Sequence, residues 1–126
     1  MCDNRFYYCP HCGNIVGMVN SSGVPIICCG SKMVQLEAGV VEASHEKHIP
    51  VVSILENVVR VEVGSVAHPM TEEHLIQWVY LQTDRGGHRK CLKAGEHPVV
   101  TFSLFDEKPI AVYAYCNLHG LWKADI

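Results

Sequence analysis

The sequence predicts an all-β protein: a small metal-stapled module over residues 1–36, followed by an antiparallel β-sandwich over residues 37–126. Three observations carry that expectation. Residues 58–63 alternate, with Val59, Val61 and Val63 facing one way and Arg60 and Glu62 the other, which is the period of two that a half-buried strand requires. Further short runs rich in Val, Ile, Phe, Tyr or Trp recur between turn residues, with no convincing helical period, internal repeat or low-complexity tract. Ahead of them, Cys9, Cys12, Cys28 and Cys29 lie in a segment too small to bury a core of its own, so a metal ion is a plausible staple.

In the first segment Gly13, Gly17, Gly23 and Gly30 punctuate short apolar stretches such as Ile15-Val16 and residues 24–27, giving turns and short strands. Residues 37–48 read as a connector. Beyond it, residues 50–55, 75–81, 99–105 and 110–116 are further extended stretches beside the alternating run. Asp84-Arg85-Gly86-Gly87 is a strong turn signal and Glu56-Asn57 a weaker one. Thr71-Glu72-Glu73-His74 could make one helical turn.

At 126 residues the chain fits one domain plus an appendage, and 48% apolar with 18% charged residues excludes a disordered or fibrous protein. A net charge of −3, with no run of Lys or Arg, argues against a nucleic-acid partner. No window approaches about eighteen consecutive apolar residues, and Met1-Cys2-Asp3-Asn4 lacks the regions of a signal peptide. The expectation is a cytoplasmic protein with no membrane partner. In that reducing compartment seven cysteines and eight histidines point to metal ligation rather than disulfides.

Cys9-Pro-His-Cys12 places two sulfurs on one ion, with Gly13 completing the turn, and Cys28-Cys29 follows after fifteen intervening residues. Four thiolates suit zinc or iron, and the spacing leaves both open. Adjacent Cys28 and Cys29 cannot both present ideal angles, so the tetrahedron should be distorted. His11, inside the turn, reads as an exposed polar residue.

The second segment carries Glu46-Lys47-His48, His68-Pro69-Met70, Glu73-His74 and Cys116-Asn117-Leu118-His119. Each histidine alone is weak evidence, but all lie at strand edges or adjoining loops, where a rigid sandwich can gather distant residues. Cys116 and His119 form a local chelate, in a turn able to aim backbone N–H groups at the sulfur. Four imidazoles and a thiolate exceed the tetrahedral set of structural zinc and favour a redox ion with one open position. His45, His88 and His97 fall outside this pattern.

From about Tyr8 to Lys123 these motifs resemble desulfoferrodoxin, the two-iron form of superoxide reductase, in which a desulforedoxin-like module precedes a neelaredoxin-like domain. The resemblance rests on Cys9-Pro-His-Cys12-Gly-Asn-Ile-Val, Cys28-Cys29-Gly-Ser-Lys-Met33, Glu46-Lys-His-Ile-Pro50, Gly64-Ser-Val-Ala-His-Pro-Met70, Glu73-His74, and Cys116-Asn-Leu-His-Gly120 with Trp122. It implies an immunoglobulin-like sandwich, a homodimer, and iron in both sites. It places one iron on Cys9, Cys12, Cys28 and Cys29, and the other on equatorial His48, His68, His74 and His119 with axial Cys116. It further implies one-electron reduction of superoxide to hydrogen peroxide, with re-reduction by rubredoxin or a similar small electron donor. Glu46 and Lys47 become the candidate catalytic residues: Lys47 as a cation that attracts superoxide, Glu46 as an oxygen donor able to close the sixth position of ferric iron. Cys2, Cys91, His45 and Leu121 depart from the motifs, and Cys2 and Cys91 could form adventitious bonds on oxidation. Without the resemblance, a non-enzymatic electron-transfer or metal-storage protein and a structural zinc protein both stay open.

Overall fold

The computed structural model describes residues 4–126, so Cys2 lies outside the described residues. The chain divides into two compact units, Met1–Glu37 and Ala38–Ile126.

In the first unit, β1 (Phe6–Tyr8) lies between β2 (Ile15–Gly17) and β5 (Val34–Gln35), while β3 (Ile27–Cys28) and β4 (Ser31–Lys32) form a separate hairpin. All pairings are antiparallel. The β1–β2 connection is the Cys9–Cys12 turn, closed by the Cys9 N–H on the Asn14 carbonyl (2.9 Å) and the Gly13 N–H on the Cys9 carbonyl (2.8 Å). Of the apolar stretch 24–27 only Ile27 enters a strand, and Pro25 has no N–H to give a ladder. Among the described residues of this unit only Phe6 and Cys9 are buried, while Val19, Val24, Ile27 and Val34 remain exposed.

The second unit is the expected sandwich. Among the described residues it has seven strands: β6 (Pro50–Leu55), β7 (Val58–Val63), β8 (Ile76–Thr83), β9 (Gly86–Cys91), β10 (Val99–Ser103), β11 (Pro109–Cys116) and β12 (Gly120–Asp125). They form a three-stranded sheet, β10-β7-β6, and a four-stranded sheet, β12-β11-β8-β9, with every pairing antiparallel. Val59, Val61 and Val63 of β7 point inward as their alternation required. They join Val100 and Phe102 of β10, Ile76, Val79 and Leu81 of β8, and Val112, Ala114 and Cys116 of β11 in one core. At about 1.5–3 kcal/mol for each large apolar side chain taken out of water, this layer stabilises the sandwich.

Three local features differ from the sequence reading. Thr71–His74 makes no helix: the Thr71 N–H bonds the His74 carbonyl (2.9 Å), and the Thr71 hydroxyl oxygen accepts the His74 N–H (3.1 Å), in place of helical bonds. One turn of helix, α1 (His45–His48), forms instead in the expected connector, ended by Pro50, which biases Ile49 to extended backbone. The turn at residues 84–87 is tighter than its four-residue signal, because Thr83 pairs with Gly86 and only Asp84 and Arg85 form the loop.

Candidate metal centres

Antiparallel pairing brings the ends of several strands to one end of the sandwich. Cys116 ends β11, opposite both Ile76 at the start of β8 and Gly120 at the start of β12. His119 sits in the β11–β12 turn, completed by Gly120 in the left-handed region (φ +77°). His74 precedes β8, His68 follows β7, and α1 presents His48. The five ligand atoms of His48, His68, His74, Cys116 and His119 all lie within 4.8 Å of one another.

Close backbone packing fixes α1. A Cβ on Gly64 would stand 2.6 Å from the Glu46 carbonyl oxygen and 2.9 Å from that of Ile49, so only glycine fits beneath the helix. The freed space lets the Val66 N–H (2.8 Å) and the Ser65 hydroxyl (3.2 Å) both donate to the Glu46 carbonyl.

The donor set can be tested for a metal by its own hydrogen bonds. The His48 Nδ1–H donates to the Ser44 carbonyl (2.6 Å) and the His68 Nδ1–H to the Pro69 carbonyl (2.7 Å). A neutral imidazole carries one N–H, so the Nε2 atoms of both rings present lone pairs, and they face each other at 3.1 Å. Burial keeps both rings neutral, lowering His48 and bringing His68 to about 4. His119 Nδ1 lies 3.1 Å from His48 Nε2, and the buried Nε2 of His74 has no hydrogen-bond partner. Lone pairs converging without a proton repel each other; a cation held by them removes that repulsion.

Burial also raises the Cys116 thiol, although backbone N–H groups of Leu118 and His119 act in the opposite direction, as the turn was expected to permit. Cys116 Sγ is 3.8 Å from His119 Nδ1. Glu46 and Lys47 are exposed on α1. The lowering of His48 and His74, caused first by burial, includes a contribution from the Lys47 charge, so that cation is felt at the imidazoles. The Glu46 carboxyl is held below its ordinary range, chiefly by its own backbone N–H.

In the first unit the sulfurs of Cys9, Cys12, Cys28 and Cys29 also lie within 4.8 Å of one another. Cys12 and Cys28 are 3.6 Å apart, far beyond a disulfide bond, and all four are free thiols. The backbone N–H of Cys12 draws Cys9 down to about 6, whereas the crowding of Cys29 by the sulfurs of Cys12 and Cys9 pushes it up to about 12. Cys29 adopts φ 52°, and Gly30 follows at 76°. Of the adjacent pair, one cysteine thus sits in the left-handed region.

Sequence reasoning missed the parts that orient the rings. The carbonyls of Ser44 and Pro69 are backbone groups with no side-chain signature. Trp122 packs on His48 (ring centroids 4.9 Å apart) and donates its Nε1–H to the His119 carbonyl (3.1 Å); its place after the Cys116–Gly120 motif was the only signal. His45 meets the edge of Trp122 and is no member of the cluster; Cys91 is exposed on β9.

A family model described as desulfoferrodoxin matches residues 40–125. The desulfoferrodoxin of Nitratidesulfovibrio vulgaris is 44% identical over 96% of this chain and 95% of its own length. Among solved structures, the superoxide reductase from Treponema pallidum is 40% identical with a TM-score of 0.79, covering 95% of this chain and 98% of that one. A superoxide reductase from Giardia intestinalis, described as a one-iron form, is 33% identical with a TM-score of 0.56, over 64% of this chain and 97% of its own.

Proposed function

The chain belongs to the desulfoferrodoxin family, and on that premise we propose that it is a superoxide reductase, in which superoxide takes up one electron and two protons and leaves as hydrogen peroxide. One observation carries the reading: four imidazoles and a buried thiol converge in the sandwich, and two of the rings, His48 and His68, are tethered outward through Nδ1–H so that their Nε2 lone pairs face inward. His48, His68, His74, His119 and Cys116 would hold one iron, and Cys9, Cys12, Cys28 and Cys29 the other. An iron held by the first of these sets would supply one-electron redox chemistry.

The residues around it do the rest. Ser44 and Pro69 fix two rings in the tautomer that leaves Nε2 free, and the N–H groups of Leu118 and His119 stabilise negative charge on Cys116. Lys47 raises the local concentration of a small anion such as superoxide. Glu46, next to it on α1, offers a carboxylate oxygen that would serve as a further donor to an iron held in the cluster. The division of labour follows the two segments, residues 1–36 carrying the four-cysteine site and residues 37–126 the chemistry. An electron donor of the rubredoxin type re-reduces the protein, which acts as a cytoplasmic homodimer in detoxification. No helix among the described residues is long and apolar enough to cross a membrane.

The test is stoichiometric. Pre-reduced anaerobic protein should convert each superoxide to one peroxide without evolving dioxygen. An iron-loaded protein that leaves superoxide decay unaltered would instead be an electron-transfer or storage protein.

A further inference from the structure

The four imidazoles are positioned by different means. His48 and His68 are tethered through their own ring N–H groups, and His119 is held from its carbonyl by Trp122. His74 takes its place from the backbone on either side of it. Asn117, the residue after Cys116, makes three hydrogen bonds to that segment. Its Nδ2 donates to the Glu73 carbonyl (2.9 Å), its Oδ1 accepts the Leu75 N–H (3.0 Å), and its own N–H donates to the Leu75 carbonyl (3.3 Å). These bonds bracket His74 on both sides and cross from the end of β11 to the start of β8. Thr71 completes the bracket, its N–H and its hydroxyl both donating to the His74 carbonyl.

We propose that Asn117 is a positioning residue that couples His74 to Cys116, so that one side-chain amide sets the placement of the His74 imidazole relative to the Cys116 sulfur. The reasons are geometric. A primary amide is the smallest group offering a donor and an acceptor in one plane, which the carbonyl of Glu73 and the N–H of Leu75 require together. An alanine supplies neither, and an aspartate supplies only the acceptor. Without the amide, the His74 segment keeps its Thr71 bonds and the backbone bond from residue 117 to the Leu75 carbonyl, but it loses both side-chain bonds across to the end of β11, and the imidazole is less firmly held in the cluster. This inference rests on the iron reading of the five-residue cluster.

The test compares ferric wild-type protein with Asn117→Ala, His74→Ala and the double variant, read by the sulfur-to-iron charge-transfer band and by the rate of iron loss to a chelator. Asn117→Ala should shift the band in the same direction as His74→Ala and lose iron about 10- to 100-fold faster than wild type. The double variant should match His74→Ala alone, because both changes remove the same ligand. Asn117→Asp, which keeps the acceptor for Leu75, should fall between wild type and alanine. Absorption from the four-cysteine centre should not move in any variant. A wild-type band and wild-type iron loss in Asn117→Ala, or shifts that sum in the double variant, would overturn the proposal. Should the alanine variant fail to fold, Asn117→Asp decides, and its coincidence with wild type in both readouts refutes the role. A band indifferent to His74→Ala would overturn the ligand reading itself, and the inference with it.

Discussion

The two units meet the same task, gathering soft donors around one ion, from opposite starting points. In the first, the buried side chains among the described residues are Phe6 and Cys9, and its five strands are two or three residues long. In the second, two sheets enclose a continuous layer of valine, leucine, isoleucine and phenylalanine, and the donors sit at its end, on α1, on the last residue of β11 and on hydrogen-bonded loops. A site on a preformed scaffold can be orientated by bonds that exist before the ion arrives, such as His48 to Ser44 and His68 to Pro69. A site in a coreless unit has to supply the folding energy itself. The difference separates a metal that makes a fold from a fold that makes a metal site.

Metal removal should expose that difference most strongly. Stripping both ions under reducing conditions should abolish protection of backbone amides at Phe6–Tyr8 and Ile15–Gly17, since a structural metal contributes about 10 kcal/mol or more to such a unit. Amides of β7, β8 and β11 should stay protected. Hydrogen exchange followed residue by residue checks both halves, and equal loss of protection in the two units would break the comparison.

A smaller effect tests how much of the site's function lies outside the donors. Lys47→Ala should slow the reaction of the ferrous protein with superoxide by up to about 10-fold at low ionic strength and flatten its salt dependence, because only the steering charge is lost. Rates measured by pulse radiolysis at several salt concentrations decide it; an unchanged rate and salt slope would return Lys47 to a solvated surface charge.

Legibility in the sequence followed the physics of each element. Strand β7 was readable because one face is buried and the other wet, so its side chains record the pleat. Strand β9, Gly-Gly-His-Arg-Lys-Cys, carries no apolar alternation; it pairs with β8 at the sheet edge and buries no side chain in the core, so no apolar period marks it. Helix α1 is four residues long, below any period, and is set by Gly64 packing beneath it rather than by its own residues. At the five-residue site the ligand types were visible one by one, yet nothing in the spacing said that His48 and His119, 71 positions apart, would stand 3.1 Å from each other. The resemblance gathered them. The carbonyls that set the tautomers could not be foreseen, since any residue supplies one. The four-cysteine unit was the more readable of the two, because its ligand spacing is nearly its whole fold.

In the proposed function, superoxide is reduced at the sandwich cluster and does not need the four-cysteine centre. Pulse radiolysis of pre-reduced Cys12→Ser protein tests it directly. Absorption from the first centre should disappear while the second-order reaction with superoxide keeps its wild-type rate. Loss of that reaction in protein whose sandwich still holds its iron would show that the chemistry needs the four-cysteine centre.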